Sequence, residues 1–236
     1  WGGIVGLLKA KTGAHEVIVT IMLNYIAAKF LLFLLSTKYF LRPGRLDPIA
    51  PPVKESAKLP NLFGVDYRVN IGIFIALAAS VFIWWLLNRS IIGFRFRAVG
   101  ANSSAARTAG ISVSAAMIAT MTISGGLAGM GGAIHTLGNQ YELTDTVAAS
   151  FGFDAITVAL LGRGTPLGVV LASLLFAGLR TGGQTMQANV GVPVEIVLVI
   201  QALVVLFIAA PALVKSIFRV RNLQEASAMA SKGWNG

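Results

Sequence analysis

The sequence predicts an all-α membrane protein built as a polytopic helix bundle. Of its 236 residues, 56% are hydrophobic and 12% are charged, and the mean hydropathy is +0.76, whereas soluble domains carry roughly 25% charged residues. Apolar runs of about 20 residues follow one another with short polar breaks, and each is long enough to cross a hydrocarbon core of roughly 30 Å. We therefore expect one transmembrane domain over residues 1–236 that crosses the bilayer several times.

The first residues read as the end of an apolar segment. Residues 2–8 lack the charged start of a signal peptide, and the sequence starts at Trp1 without a methionine. We therefore expect an N-terminally truncated piece of a longer protein. After a polar break at 9–16, the first complete span is predicted at 17–35. It contains Lys29, and an ammonium group at that depth has to snorkel, pair or face water.

A proline-rich stretch follows the first span. Five prolines between residues 37 and 70 stop helices and favour turns, so an extramembrane loop is predicted at about 37–69. The second span is predicted at 71–87. Its tryptophans, Trp84 and Trp85, lie near one end, where indoles favour the headgroup level.

The third span, predicted at 113–137, contains a glycine-rich run at 124–132. Small residues four positions apart in this run let another helix approach closely. Because glycine also weakens helices, a bend at this point is the alternative. A polar connection is predicted at 139–150. A short or tilted helix is then predicted at 151–161, ending in a tight turn at 162–168.

Two more helices are predicted in the last third of the chain. A short helix at 169–179 is expected to end at the polar, glycine-containing residues 180–184, and short glycine-interrupted spans are typical of substrate pathways. The last full span is predicted at 194–214, entered through Pro193. A basic tail at about 215–236 follows it.

Successive spans place the polar segments alternately on the two sides of the membrane. The positive-inside rule puts one set in the cytoplasm, chiefly because residues 89–112 contain no acidic residue. This cytoplasmic set comprises the break at 9–16, the segment at 89–112, the turn at 162–168 and the tail. The proline-rich loop, the connection at 139–150 and a turn at Gly182 are expected on the outer side.

The basic segment at about 89–112 predicts a short capped helix between two spans. Gly100 interrupts the structure before it, and Gly110 suits a left-handed cap at its end. Asn102 or Ser103 can cap its start. The helix has room for about two turns, and a helix that short needs a surface to pack on.

Two arrangements provide such a surface, and the pattern alone favours neither. In one, Ala105, Ala106 and Ala109 form a smooth face that fits a groove in another protein. Arg107 then lies at the rim and offers a charge-assisted contact. In the other, the segment is a short interfacial helix that lies on its own membrane domain.

Several polar residues fall at membrane depth, where each has to face protein or water. The candidates for a substrate path are Asn24, Tyr25, Asp154, Gln184, Glu195 and Gln201. Asp154 and Glu195 lie in the first turns of predicted helices, where the helix dipole alone can explain a carboxylate. Asn24 and Gln201 are equally compatible with hydrogen bonds between helices.

Other functions lack their characteristic residues in this sequence. The basic residues are spread over the breaks, which favours anionic headgroups over nucleic acid as their partner. The sequence has no cysteine, and His15 and His135 are isolated, so no metal site is predicted. No phosphate-binding G-x-x-x-x-G-K-[ST] loop occurs. Ser124 and His135 are about three helical turns apart, too distant on one helix for a hydrolase pair.

Three stretches, in this order along the chain, resemble one transporter family. They are "GLLKAKTGAHEVIVTIMLNYIA" at 6–27, "AVGANSSAARTAGI" at 98–111 and "GFDAITVALLGRGTPLG" at 152–168. The family comprises the permeases of ATP-binding cassette (ABC) importers that serve ribose and other simple sugars, nucleosides and branched-chain amino acids. The first stretch is most similar to the nucleoside and simple-sugar branch.

The resemblance implies a type II importer architecture in a bacterial inner membrane. Two permease subunits, in a homodimer or a heterodimer, would lie side by side, with two ATPase subunits below them and an extracytoplasmic solute-binding protein outside. ATP and Mg²⁺ would bind the ATPase, while this chain would hold no cofactor and catalyse no reaction. In this family the loop that resembles 98–111 docks into the ATPase. The resemblance thereby assigns a coupling role to Arg97, Gly100, Asn102, Ala105, Ala106, Arg107 and Gly110.

The expected function is import of a nucleoside or simple sugar by alternating access. For a neutral nucleoside, Asn24, Tyr25 and Gln184 are better suited than the carboxylates, because they offer donors, acceptors and an aromatic surface. The alternative is an ion-coupled secondary transporter, which predicts inverted repeats and a buried carboxylate pair; the sequence shows no convincing repeat. A membrane scaffold is a third class, and it would not need glycine-broken spans.

Overall fold

The structure, a computed structural model, describes residues 1–62, 69–145, 147 and 151–209. The α-helices in this part of the chain are α1 (Gly2–Thr12), α2 (Glu16–Leu35), α3 (Gly72–Arg89), α4 (Ile91–Ala101), α5 (Ser103–Thr108), α6 (Val113–His135), α7 (Phe151–Leu161), α8 (Pro166–Val190) and α9 (Glu195–Ala209). A short 3₁₀ helix at Glu55–Ala57 and a π-helical turn at Thr136–Gln140 accompany them. The all-α prediction is confirmed, while the predicted tail at 215–236 lies outside the described residues.

Four helical stretches of the described chain are long and apolar enough to cross a membrane. They are Glu16–Leu35, Gly72–Arg89, Val113–Gln140 and Pro166–Val190. The first three confirm the predicted spans, with small shifts at the ends. The predicted short helix before the Gly162 turn is also confirmed, since α7 has 11 residues and ends at Leu161.

The chain forms two compact units, residues 1–152 and residues from Phe153 onward. In the first unit, α1 packs along α6, and a salt bridge of 2.7 Å between Lys9 and Glu16 connects α1 to α2. The start of α3 meets the end of α6, where Gly72 lies against Ile134. Helix α4 follows the end of α3, and α5 precedes the start of α6. Helices α4 and α5 therefore lie at the end of this helix pair that is opposite to the contact between Gly72 and Ile134.

The glycine-rich run of α6 packs closely against α1 at Gly125. The α-helix continues through this run to His135. A Cβ atom on Gly125 would lie only 3.0 Å from the Cα of Gly2, and one on Gly6 would lie 2.8 Å from the Cα of Ile118. Glycine at these positions lets the backbones of α1 and α6 approach, as small-residue interfaces in membranes require. Close packing is therefore confirmed at Gly125, whereas a Cβ atom on Gly126, Gly129, Gly131 or Gly132 would have nothing within 4 Å.

The prediction of a short helix at 169–179 is wrong. Helix α8 runs for 25 residues, from Pro166 to Val190, and passes straight through the polar residues at 180–184. Each glycine in a helix costs about 1 kcal/mol, but each unpaired backbone group in lipid costs several, so continuing the helix is favourable. Val197 of α9 fills the space beside Gly183. The expected outer turn at Gly182 is accordingly replaced by one at Gly191, whose φ of 72° ends α8.

The proline-rich stretch pairs its backbone with the segment that follows α6. Ala50 donates to the carbonyl of Leu143 at 3.0 Å, and Val53 donates to the carbonyl of Tyr141 at 2.8 Å. Asn70, which is buried, donates to the carbonyl of Gly138 at 3.0 Å and accepts from the amide of Gly72 at 2.9 Å. These bonds satisfy loop backbone groups that would otherwise be unpaired, and they join the loop to the ends of α3 and α6.

Candidate functional site

A fixed elbow joins α3 to α4. The hydroxyl of Ser90 donates to the carbonyl of Leu86 at 2.6 Å and accepts from the amide of Gly93 at 2.9 Å. Gly93 is buried against the preceding turn, because a Cβ atom there would meet the carbonyl oxygen of Leu86 and lie 2.7 Å from the Cα of Leu87. The side-chain cap and the close backbone contact together set the direction in which α4 leaves the membrane helix.

The short capped helix expected after Gly100 is present as α5. Its N-cap is Asn102, whose side-chain oxygen accepts from the amides of Ser104 and Ala105, both at 3.0 Å. Gly110 has a φ of 79° and follows the helix in the left-handed region, as predicted. Gly100 does not interrupt the preceding structure, because α4 continues to Ala101 and Asn102 is the residue that leaves the helix. We attribute the helix end to the asparagine cap, which competes for the backbone more strongly than one glycine weakens it.

The expected smooth alanine face of α5 is only partly available. Ala106 is 4% exposed and is buried against its own chain, and its carbonyl accepts from the amide of Ile111 at 2.9 Å. Ala105, Arg107 and Ala109 are exposed. Helix α5 contacts α4 and α6, so it rests on its own domain through one side and presents the other side outward.

Four exposed arginines surround this surface, namely Arg89, Arg95, Arg97 and Arg107. Within the described residues, none of the four takes part in an ion pair. With no acidic residue between 89 and 112, the end of the unit that carries α4 and α5 is strongly cationic. We define the coupling segment as residues 89–112, which comprise this elbow, α4 and α5.

The substrate-path candidates of the first unit lie on α2. Asn24 and Tyr25 are both exposed, with 67% of Tyr25 accessible. Leu35 is the one buried residue of α2, which presents nearly all its surface outward. Lys29, on the same helix, is exposed as well.

The second unit contains an ion pair that the sequence did not predict. Asp154, in the first turn of α7, accepts from Arg180 of α8 at 2.9 Å between Oδ2 and Nη1. The two side chains are 35% and 43% exposed. Asp154 was a candidate from its position, whereas Arg180 was missed because its partner is 26 residues away. An arginine within a spanning helix was the available signal.

The remaining candidates of the second unit are more isolated. Gln184 is exposed on α8, four residues after Arg180, and Glu195 is exposed in the first turn of α9. Gln201 is half-buried on α9. In the described part of the chain, no group of three His, Asp or Glu residues is placed to hold a metal ion. Ser124 and His135 lie on one continuous helix, so they do not form a hydrolase pair.

The chain is similar to permease components of known transporters. A family model described as "Branched-chain amino acid transport system / permease component" matches residues 1–209. The guanosine ABC transporter permease protein NupP of Bacillus subtilis is 42% identical over 217 residues, which cover 89% of this chain and 60% of the relative. The nucleoside ABC transporter permease protein NupB of Lactococcus lactis is 34% identical over 240 residues, covering 98% of this chain and 66% of the relative.

Other relatives carry sugar transport in their names. The glucose ABC transporter permease protein TsgB13 of Haloferax volcanii is 34% identical over 217 residues, covering 88% of this chain and 57% of the relative. The chain thus spans between 57% and 66% of the length of these three relatives. No solved structure matches the chain. With the spanning helices described above, the comparisons place the chain among multi-pass membrane proteins.

Proposed function

The chain belongs to the family of branched-chain amino acid transport system permease components, and from that premise we propose that it is the transmembrane permease subunit of an ABC importer. The proposed solute is a nucleoside or a simple sugar, which moves inward by alternating access. ATP and Mg²⁺ bind a separate ATPase subunit, and this chain performs no chemistry on the solute. The proposed location is a bacterial inner membrane.

The observation that carries this proposal is the form of the coupling segment. Helix α5 is held on its own domain through Ala106 and capped at both ends, while Ala105, Arg107 and Ala109 face outward. A free regulatory loop would not need such caps. A short helix that presents a smooth cationic surface is suited to docking in a groove of another protein.

The elbow gives the docked helix a mechanical connection to the membrane. Ser90 and Gly93 fix α4 against α3, and α5 leads directly into α6 through Ser112, which caps α6 by accepting from Ala115 at 3.3 Å. Displacement of α5 by closing ATPase subunits would therefore move the ends of both α3 and α6. Such a movement biases the permease between inward-open and outward-open states, without any chemistry on this chain.

The remaining proposed partners complete the importer. A second permease subunit, identical or related, lies beside this one in the membrane, and membrane lipid covers the outer apolar surfaces. An extracytoplasmic solute-binding protein delivers the solute at the end of α3 and α6 opposite the coupling segment. We propose no role for nucleic acid.

Uptake into proteoliposomes tests the proposed function. The vesicles contain the full permease assembly with its ATPase, enclose ATP and Mg²⁺, and receive binding protein with radiolabelled guanosine or glucose on the side where it docks. We expect uptake of at least one of the two solutes that requires ATP, stops with a hydrolysis-deficient ATPase and is unchanged by a protonophore. Uptake that continues without ATP and collapses with the protonophore would show an ion-coupled secondary transporter instead.

A further inference from the structure

Helix α4 begins directly at the end of a spanning helix. Helix α3 ends at Arg89, Ser90 forms the elbow, and α4 starts at Ile91. Trp84 and Trp85 are exposed in the last two turns of α3, and tryptophans near the ends of spanning helices mark the headgroup level. The first residues of α4 therefore lie at the boundary between lipid and water, on the side of the membrane that carries the coupling segment.

The start of α4 exposes large apolar side chains. Among residues 91–95, Gly93 is buried against α3 and the other four are exposed. Ile91 is 74% exposed, Phe94 is 58% exposed, and Ile92 is exposed between them in the sequence. Neighbouring apolar side chains of this size are unfavourable in water and mark contact with a partner or a membrane. At the headgroup boundary, the same side chains can insert among acyl chains.

Two exposed arginines accompany these apolar side chains. Arg89 is the last residue of α3, and Arg95 follows three and four residues after Ile92 and Ile91, so it shares their side of α4. Neither arginine has an ion pair within the described residues. The dipole of α3 alone can explain Arg89, which lies in its last turn. Arg95, in the middle of α4, has no such explanation, and its charge calls for an anion from outside this part of the chain.

We propose that the start of α4 binds an anionic phospholipid of the cytoplasmic leaflet. The guanidinium groups of Arg95 and Arg89 donate to the phosphodiester oxygens, while Ile91, Ile92 and Phe94 contact the acyl chains. A lipid fits better than a protein partner, because the charges and the apolar side chains occur together at the level where headgroup and acyl chain meet. The inference does not depend on the proposed function, since a lipid binds without ATPase or solute.

This lipid site is separate from the docking surface on α5. The exposed residues beside Arg107 are small or polar, namely Ser104, Ala105, Thr108 and Ala109. They offer no large apolar side chain that could insert among acyl chains. A lipid held at α4 would fix the start of the coupling segment in the plane of the membrane, while α5 stays accessible to the ATPase. Arg95 and Arg107 should therefore differ in their effect on lipid binding, although each carries one exposed positive charge.

Native mass spectrometry of the full-length permease in detergent measures lipid binding without ATPase or solute. The probes are phosphatidylglycerol and phosphatidylcholine with the same acyl chains, titrated separately. Each arginine near an anionic headgroup is expected to contribute about fivefold in affinity. Wild type should therefore bind the first phosphatidylglycerol about 25-fold more tightly than phosphatidylcholine, and Arg95→Gln should reduce this ratio to about fivefold. Arg95→Gln combined with Arg89→Gln should abolish the preference.

Matched variants separate a lipid site from a general effect of charge. Arg107→Gln on α5 and Lys54→Gln on the proline-rich loop each remove one exposed positive charge without an ion pair among the described residues. Both should keep the wild-type ratio. Arg95→Lys retains the charge that the phosphodiester attracts and should keep most of the preference. Phe94→Ala should weaken the binding of both lipids alike, because it removes an acyl-chain contact and leaves the charges in place.

Several results would overturn the proposal. They are equal affinities of wild type for the two lipids, or a ratio that Arg107→Gln or Lys54→Gln lowers as much as Arg95→Gln does. Displacement of phosphatidylglycerol by inorganic phosphate would show an anion site without a lipid. Binding to the permease monomer but never to its dimer would show that a second copy covers α4. The wild-type measurements need no variant, so the proposal stays testable if Arg95→Gln does not accumulate, and a failure of ATP-dependent uptake would leave them unchanged.

Discussion

Substitution of Gly93 by alanine is expected to lower the stability of the permease and to misplace the coupling segment. The added methyl group would meet the carbonyl oxygen of Leu86 and the backbone of Leu87, and backbone atoms cannot move aside as a flexible side chain can. Overpacking of this kind typically costs about 1–3 kcal/mol. The strain can relax only if α4 moves away from α3, so uptake should fall together with the thermal midpoint.

Gly100 provides a matched control on the same helix. A Cβ atom at Gly100 would have nothing within 4 Å, so alanine there adds helix propensity of about 0.5–1 kcal/mol without a clash. The two substitutions should therefore shift the midpoint in opposite directions. Tryptophan fluorescence during heating in detergent measures both, since Trp84 and Trp85 lie close to the elbow. A Gly93→Ala variant as stable as Gly100→Ala would contradict the elbow described here.

Reversal of charge at Arg107 is expected to weaken binding of the ATPase by at least about tenfold, which corresponds to about 1.4 kcal/mol. Arg107 is exposed in the last turn of α5 and forms no ion pair among the described residues. Arg107→Glu should therefore leave the fold intact. At a docking surface, however, a like-charge contact costs several kcal/mol, so both ATPase capture and coupled uptake should decline.

Lys54→Glu changes the net charge by the same amount at the other end of the unit. Lys54 is exposed and precedes the 3₁₀ helix of the proline-rich loop. Pull-down of the ATPase with detergent-solubilised permease, in the absence of binding protein, compares the two variants. Equal capture by Arg107→Glu and wild type, or an equal loss with Lys54→Glu, would argue against a specific contact at α5.

The features that the sequence predicted well depend on local signals. The spans follow from apolar runs of sufficient length, because in lipid such runs have no alternative to helix. The boundaries of α5 follow from Asn102 and Gly110. The capping side chain of the asparagine and the positive φ of the glycine each act on the backbone within a few residues. Helix α7 was predicted because the glycines at 162 and 164 interrupt the pattern after it.

The features that were missed depend on contacts between distant residues. Residues 180–184 have the composition of a helix end. Helix α8 nevertheless continues, because an unpaired backbone group in lipid costs more free energy than a glycine within a helix. The pair of Arg180 with Asp154 joins two helices, and no local pattern reveals it. The burial of Ala106 likewise depends on how α5 lies on α4 and α6. Tertiary contacts therefore decided which candidates face outward.

Cross-linking from single cysteines tests the central claim most directly, because the chain has no cysteine of its own. Ala105→Cys places one thiol on the exposed side of α5, and Leu46→Cys places one on the proline-rich loop at the opposite end, where Leu46 is 99% exposed. Each is labelled with a photoactivatable maleimide in the assembled importer and irradiated. We predict a covalent product with the ATPase subunit from position 105 and none from position 46. No product from position 105, or equal products from both positions, would contradict the assignment of residues 89–112 as the coupling segment.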